Sequence, residues 1–144
     1  MKRVVTGWDE SGKPVVLFEG EPPFQVDFGF ASAREIWASE SSPADTRRSD
    51  DPTAGEWTLA PPTGGSVFRT ATYAPGADVG IHATETLDYL VVVSGELTLV
   101  LEDRELTLRP GDTVVQQATP HGWANRTTEP CVVAAVLLDA ARAR

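Results

Sequence analysis

Two histidines and one aspartate are the side chains in this sequence most able to do chemistry. His82 and His121 are the only histidines, and Asp88 follows the first of them within a strand-like segment. Side chains two residues apart on a β-strand point to the same side and lie about 7 Å apart along it. If the first segment is extended, the residues that share a face are His82, Thr84, Thr86 and Asp88. In the second segment they are His121, Trp123 and Asn125.

If both faces turn into one barrel, two imidazoles and one carboxylate meet beside a tryptophan. Such a set can hold a divalent metal ion such as Zn, Fe, Mn or Ni and leave positions for water or substrate. Without a metal, a histidine beside a carboxylate is held in one tautomer and kept basic, which suits acid–base catalysis near neutral pH. A third interpretation is structural, with both histidines buried and satisfied by Asp88 and Thr84. The residues alone leave all three open.

Further polar and aromatic side chains are candidates for contact with a substrate. Arg69 can clamp a carboxylate if its strand face is inward, and is otherwise a solvated or ion-paired arginine. Gln116 and Gln117 interrupt an apolar strand, so one of them is predicted to hydrogen-bond within the cavity. Trp123 is predicted either to wall the pocket or to pack in the core. The full candidate set is Trp123, Thr84, Gln116, Arg69 and Asn125.

Short strands and regular turns are predicted to position these residues. From Ser66 to Leu138, β-branched runs alternate with turns at 74–78, 94–95, 102–104 and 109–112. Evenly spaced short strands with Gly and Pro at the turns are typical of an antiparallel sandwich or barrel. The sequence therefore predicts an all-β fold in this region.

The rest of the chain is predicted to add to the same domain, residues 1–144. Residues 1–38 contain strand-like runs and a short helix over 31–38. Residues 39–65 are poor in large apolar side chains and predict a long loop, acting as a lid, a partner-binding arm or a mobile surface excursion. Residues 140–144 are predicted to be a frayed tail.

Composition excludes several classes of partner. The formal net charge of −9 opposes binding to nucleic acid. The longest apolar run, at 131–138, is too short to cross a membrane, and the N-terminus turns polar before any signal-peptide core develops. The single cysteine, Cys131, is predicted to be buried and fits a reducing compartment. We therefore expect a cytoplasmic protein with a small-molecule ligand.

The strand-rich region resembles the cupin superfamily over residues 64–138. The first motif of that family is Gly, five residues, His-x-His, three or four residues, Glu, six residues, Gly. Here Gly76, His82 and Gly95 keep these places, while Thr84 replaces the second His and Asp88 replaces the Glu.

The second cupin motif is Gly, five residues, Pro-x-Gly, two residues, His, three residues, Asn. In this chain Gly111 opens it and His121 and Asn125 close it, with Gln117 in the Pro place, Thr119 in the Gly place and one residue fewer. The resemblance implies a double-stranded β-helix, or jelly-roll barrel, with extra N-terminal strands. It also implies metal ligands at His82, Asp88 and His121, with two of the usual ligand positions altered.

The details of both motifs resemble small bacterial and fungal cupins that act on small carbonyl-containing or aromatic metabolites. This resemblance implies a secondary-metabolism enzyme that transfers a proton, as a lyase, decarboxylase, isomerase or cyclase, with His82, His121 and Asp88 as catalytic residues. The transfer is either assisted by a bound divalent metal that polarises a carbonyl, with His121 or His82 as the base, or performed by His/Asp acid–base chemistry alone. The alternatives are a metal-dependent dioxygenase and a non-catalytic binding or sensing module. No organic cofactor is expected, and a homodimer is expected by analogy, with the N-terminal strands as one source of the contact.

Overall fold

Twelve β-strands make up the regular secondary structure of residues 1–141, the part of the chain that this computed structural model describes. The strands are β1 (Arg3–Trp8), β2 (Pro14–Gly20), β3 (Gln25–Asp27), β4 (Ala31–Ser39), β5 (Ser66–Tyr73), β6 (Asp78–His82), β7 (Thr86–Ser94), β8 (Leu97–Val100), β9 (Glu105–Leu108), β10 (Thr113–Gln117), β11 (His121–Ala124) and β12 (Cys131–Asp139). Their pairings are antiparallel. The all-β prediction is confirmed.

The strands form two sheets and a hairpin. The larger sheet has six strands in the order β10-β7-β12-β5-β4-β3, and the smaller has four in the order β6-β11-β8-β9. The pair β1-β2 forms the separate hairpin. Non-sequential neighbours in both sheets mean that the chain crosses between them, as a jelly-roll barrel requires.

The hydrophobic core lies between the two sheets. Val92 and Val133 of the six-stranded sheet belong to the same buried cluster as Leu97, Leu99 and Trp123 of the four-stranded sheet. Strict alternation along β12 turns every second side chain inward, beginning with Cys131. Burying one such large apolar side chain contributes about 1.5–3 kcal/mol. Cys131 has no exposed surface, so its predicted burial is confirmed.

The predicted helix over 31–38 is wrong, because these residues form strand β4. The strand is hydrogen-bonded on one side to β3 and on the other to β5, with a register shift between Glu35 and Trp37. Ala33 and Glu35 are buried at alternate positions, which is the period of a strand. Helix propensity is a weak influence, and here pairing with two neighbouring strands overrides it.

Residues 40–65 contain no strand, but side-chain contacts hold them against the rest of the fold. Arg3 of β1 forms an ion pair with Asp51 at 2.6 Å and donates a hydrogen bond to the Thr53 hydroxyl at 3.1 Å. Farther along, the Trp57 ring lies 5.3 Å from the guanidinium of Arg69. The segment therefore covers the β4–β5 side of the large sheet.

Two further predictions concern the chain ends and membranes. Of the tail predicted over 140–144, residues 142–144 lie outside the described residues. No helix within residues 1–141 is long and apolar enough to cross a membrane.

Candidate functional site

Two histidines meet at the edge of the four-stranded sheet. Antiparallel pairing of β6 with β11 sets His82 directly opposite His121. Their ring centroids are 4.6 Å apart and the ring planes are inclined by 51°. His121 is 4% exposed and His82 is half-buried. The register of one strand pair therefore brings together two side chains that are distant along the sequence.

Backbone carbonyls fix the orientation and tautomer of both rings. The Nδ1 atom of His82 lies 2.9 Å from the carbonyl oxygen of Gly80, and Nδ1 of His121 lies 2.9 Å from that of Thr119. Because a carbonyl oxygen can only accept, each Nδ1 carries the hydrogen and donates it. In the neutral rings, Nε2 is then the atom with a lone pair that can accept a proton or bind a ligand.

The third predicted residue, Asp88, belongs to β7 of the opposite sheet. Asp88 shares a strand face with the buried side chains of Thr86 and Val92, which lie two and four residues away, so it lies on the inner face. Its Oδ1 atom is buried and has no hydrogen-bond partner among residues 1–141. Burial raises the pKa of Asp88, while the Thr86 hydroxyl and the positive charges of His121, Arg69 and His82 act in the opposite direction. This carboxyl therefore holds its proton to a higher pH than an exposed aspartate.

The environment of His121 favours its neutral form. Burial lowers the pKa of His121, and repulsion from His82 adds to this effect. The Thr119 carbonyl and the Asp88 carboxylate act in the opposite direction. A histidine with a lowered pKa is unprotonated near neutral pH, so His121 can serve as a base through Nε2.

We expect the substitution Asp88→Asn to stabilise the fold increasingly as pH rises. The folded state binds the Asp88 proton more tightly than the unfolded chain does. The stability contributed by this residue is therefore greatest at low pH and falls as pH rises from the ordinary value of 3.8 through the raised pKa. Asparagine has nearly the same shape and does not ionise, so the variant avoids that loss. Urea unfolding at several pH values between about 4 and 7 measures the difference.

The matched control for this prediction is Asp103→Asn, which removes one negative charge from the exposed turn between β8 and β9. A stability difference between Asp88→Asn and wild type that stays constant across the pH range would contradict a destabilising burial of the Asp88 charge.

The Arg69 side chain points inward and forms a buried ion pair. Its Nη2 atom lies 2.9 Å from Glu35 Oε1 and donates to the Thr58 carbonyl oxygen at 3.1 Å. The guanidinium also lies over the Trp57 ring. Much of the arginine is thus held by protein groups rather than presented to a substrate. The sequence interpretation missed Glu35 because its segment was assigned to a helix; a strand assignment would have given Glu35 an inward face.

The remaining candidates surround the histidine pair or hold turns. Gln116 is buried, while Gln117 is exposed. The Gln116 amide donates to the carbonyl oxygen and the hydroxyl of Thr119, the same residue whose carbonyl holds His121. This side chain therefore supports the turn before β11. Thr84 shares a hydrogen bond with the Thr86 hydroxyl at 2.8 Å.

Trp123 and Asn125 differ in their relation to the histidines. Trp123 belongs to the core cluster and also meets the His121 ring edge-on at 5.4 Å between centroids. Asn125 is buried and donates to the carbonyl oxygens of Tyr73 and Glu129, at 3.1 and 2.7 Å. Its amide oxygen accepts hydrogen bonds from Thr127. Asn125 therefore fastens the turn between β11 and β12 instead of turning its amide toward the histidine pair.

The side chains do not form a three-ligand metal site. Within residues 1–141, no group of three or more His, Cys, Asp and Glu side chains is placed to hold one ion. His82 and His121 approach each other, but Asp88 does not complete a ligand set with them. Among the described residues, this arrangement does not supply the three protein ligands that the resemblance implies.

Comparison with known proteins identifies the family. The Cupin domain family matches residues 69–137. Phomopsin biosynthesis cluster protein C' of Diaporthe leptostromiformis is 38% identical over 133 residues, which cover 87% of this chain and 70% of the relative. The cupin-domain-containing oxidoreductase srdD of Neurospora crassa is 31% identical over 147 residues, covering 95% of this chain and 74% of the relative.

Solved structures support the same fold at low sequence identity. AerE from Microcystis aeruginosa is 19% identical with a TM-score of 0.58, covering 85% of this chain and 48% of that chain. An RmlC-like cupin from Shewanella frigidimarina is 15% identical with a TM-score of 0.56, covering 84% of this chain and 87% of that chain. The solved structures show the same fold, and the cupin-domain-containing relative from Neurospora crassa, together with the Cupin domain match, shows that this chain belongs to the cupin family.

Proposed function

We propose that this chain is an enzyme that moves a proton on a small carbonyl- or carboxylate-containing metabolite, as a lyase, decarboxylase, isomerase or cyclase. The observation that carries the proposal is the His82–His121 pair, in which both Nδ1 atoms are held by backbone carbonyls and both Nε2 atoms are left to accept protons. The relatives from fungal biosynthesis clusters support a role in secondary metabolism.

The proposed reaction uses His121 as the base and Asp88 as the acid. Nε2 of His121 accepts a proton from a carbon beside a carbonyl, and the electrons of the broken C–H bond move toward the carbonyl oxygen. Asp88, whose pKa is raised by burial, gives its proton to that oxygen. The resulting aspartate then faces an imidazolium, so the charges in the site remain balanced. Trp123, in edge contact with His121, helps to hold the base in place.

Deuterium exchange tests this function without knowledge of the final product. Small ketones, β-keto acids and aromatic carbonyl compounds are incubated with the protein in D₂O and followed by NMR. The expected result is deuterium at a carbon beside the carbonyl in one class of compound, unchanged after treatment of the protein with a chelator. Absence of exchange throughout the panel, at protein concentrations where binding is seen, would leave a binding or sensing module as the better description.

A metal-dependent oxidoreductase of the dioxygenase type is the second candidate function. The observation that favours it is that several relatives are named cupin-domain-containing oxidoreductases. Metal analysis of protein purified without a His tag distinguishes the two candidates. Stoichiometric Fe, Mn, Zn or Ni, together with oxygen uptake that a chelator abolishes, would replace the proton-transfer proposal.

We also propose that two copies of the chain pair through the outer face of the six-stranded sheet. A groove on this face is lined by uncharged residues, and those whose side chains alternate outward are Phe68, Tyr89, Val91, Thr113, Val115, Ala134 and Val136. Phe68 is 41% exposed and Val115 is 60% exposed. In a chain with a net charge of −9, an uncharged face is where a second copy can approach with least repulsion.

We expect Val115→Glu to convert the dimer into a monomer, because it buries a carboxylate in the apolar contact. Sedimentation velocity at micromolar concentration measures the change. Val16→Glu is the matched control, since Val16 is similarly exposed but lies on the N-terminal hairpin. Dissociation by Val16→Glu alone would assign the contact to the N-terminal strands instead.

A further inference from the structure

The turn between β10 and β11, which precedes His121, has a strained backbone. Ala118 has a φ of +53°, a left-handed conformation that side chains with a Cβ rarely adopt. Among the non-glycine residues that the structure describes, no other has a positive φ. A residue stays in such a conformation only where the surrounding structure enforces it, and such residues cluster at functional sites. The contacts around Ala118 must therefore hold this turn against its own backbone preference.

Hydrogen bonds from two directions hold the turn. The Ala118 N–H donates to the carbonyl oxygen of Thr86 on β7 at 3.0 Å. The side-chain amide of Gln116, a residue that is 5% exposed, donates to the carbonyl oxygen of Thr119 at 3.1 Å and also to the Thr119 hydroxyl. The left-handed residue thus turns the chain so that Thr119 lies within reach of the Gln116 side chain.

The Thr119 carbonyl is shared between Gln116 and His121. A carbonyl oxygen has two lone pairs and can accept two hydrogen bonds. This one accepts from the Gln116 amide at 3.1 Å and from Nδ1 of His121 at 2.9 Å. A change in the Gln116 side chain that lets this oxygen move would therefore weaken the bond that keeps the hydrogen on Nδ1.

The corresponding bond of His82 is made without Gln116. Nδ1 of His82 lies 2.9 Å from the carbonyl oxygen of Gly80, a residue of the same strand, β6. The hydrogen bonds of the Gln116 amide go to Thr119. The two histidines of the pair therefore differ in what supports their tautomer, and His82 can serve as an internal control for His121.

We propose that Gln116 is a positioning residue for His121. Its amide holds the Thr119 carbonyl beside Nδ1 of His121, which keeps the hydrogen on Nδ1 and the lone pair on Nε2. The importance of this tautomer for catalysis rests on the proposed proton-transfer function. The tautomer itself can be measured without a substrate, so the two ideas can fail separately.

Long-range ¹H–¹⁵N NMR of the imidazole rings tests the proposal, because it distinguishes a hydrogen on Nδ1 from one on Nε2. The chain has two histidines, and a His121→Asn variant identifies the signals of His121. At alkaline pH, where imidazole is neutral, we expect the Nδ1–H form for both rings of the wild-type chain. Gln116→Met keeps a long, flexible side chain but removes the N–H donor. In this variant His121 should no longer be mainly in the Nδ1–H form, whereas His82 should remain in it.

Deuterium exchange beside the substrate carbonyl is the second readout. Gln116→Met should slow the exchange by up to about 10²-fold, the loss that a misplacement of about 1 Å can cause. Gln117→Met is the matched control, because it makes the same substitution on the exposed face of β10. It should change neither the tautomer of His121 nor the exchange rate.

The outcome for the tautomer decides the proposal. A folded Gln116→Met protein in which His121 keeps the Nδ1–H form overturns it. If the tautomer changes as expected but even the wild-type chain exchanges no deuterium, the positioning role stands and the proton-transfer function fails. If Gln116→Met does not fold, the wild-type spectrum decides. The side-chain amide of Gln116 should then exchange with water more slowly than that of Gln117, and equal rates overturn the proposal.

Discussion

Replacing His121 by Asn slows deuterium exchange beside the substrate carbonyl by about 10²–10⁴-fold, the contribution expected of a positioned general base. Asparagine keeps a side-chain N–H that can donate to the Thr119 carbonyl, as Nδ1 of the histidine does. It offers no basic nitrogen where Nε2 lies. The variant therefore removes the base while it preserves the hydrogen bond that holds the turn. The rate of deuterium incorporation measured by NMR is the readout.

The pH profile distinguishes a base from a residue that only supports the site. Because the pKa of His121 is lowered, protonation of its imidazole should reduce the wild-type rate at pH values below 6.5, and loss of the Asp88 proton should reduce the rate on the alkaline side. His121→Asn should lose this acidic limb. Gln117→Ala, on the exposed face of β10, is the control and should keep both the rate and the profile. A His121→Asn variant with the wild-type rate would contradict the assignment of His121 as base.

Turn positions were the most predictable part of this fold. Gly76, Gly95 and Gly111 adopt φ values of +75°, +76° and +92°, where side chains with a Cβ are rarely found. Each glycine lies in the turn that follows a strand predicted from the sequence. Local chemistry decides such turns, so a single sequence is enough to locate them.

Strand β4 shows what local sequence cannot decide. The alanine-rich sequence of this segment is compatible with a helix about as well as with a strand. The segment is a strand because its backbone pairs with β3 and β5. The helix prediction also concealed that Glu35 is the ion-pair partner of Arg69. The Glu35 side chain points inward because alternate residues of a strand point to the same face. Long-range pairing therefore limited both the fold prediction and the prediction of site partners.

The histidine pair could be predicted, whereas the ligand set could not. Motif spacing places His82 and His121 on adjacent strands, and the register then determines their approach. Asp88 can share a ligand with the two histidines only if its side chain spans the distance between the two sheets. The spacing of residues along the sequence does not specify that distance. The resemblance also suggested Asn125 for the pocket, but local hydrogen bonds with Thr127 and Glu129 hold its amide.

Substituting Ala for Gly95 should destabilise the fold by at least about 3 kcal/mol, whereas Gly76→Ala should cost about 1 kcal/mol. Both glycines have nearly the same positive φ, so the backbone penalty is shared. They differ in their surroundings. A Cβ on Gly95 would lie 2.4 Å from the Pro130 carbonyl oxygen and 2.8 Å from Cα of Cys131, while nothing lies within 4 Å of one on Gly76. Urea unfolding of the two variants measures the difference.

The comparison of these two glycines separates conformational strain from close packing. The atoms that Gly95→Ala would displace belong to the backbone at the start of β12, the strand that pairs with both β5 and β7 at the centre of the large sheet. They cannot rotate away as the end of a flexible side chain can, so the strand must shift or the turn must open. Either response disturbs β7, which carries Asp88, and the variant should also slow proton exchange. Equal losses of stability in Gly76→Ala and Gly95→Ala would mean that backbone conformation alone makes glycine necessary at both turns.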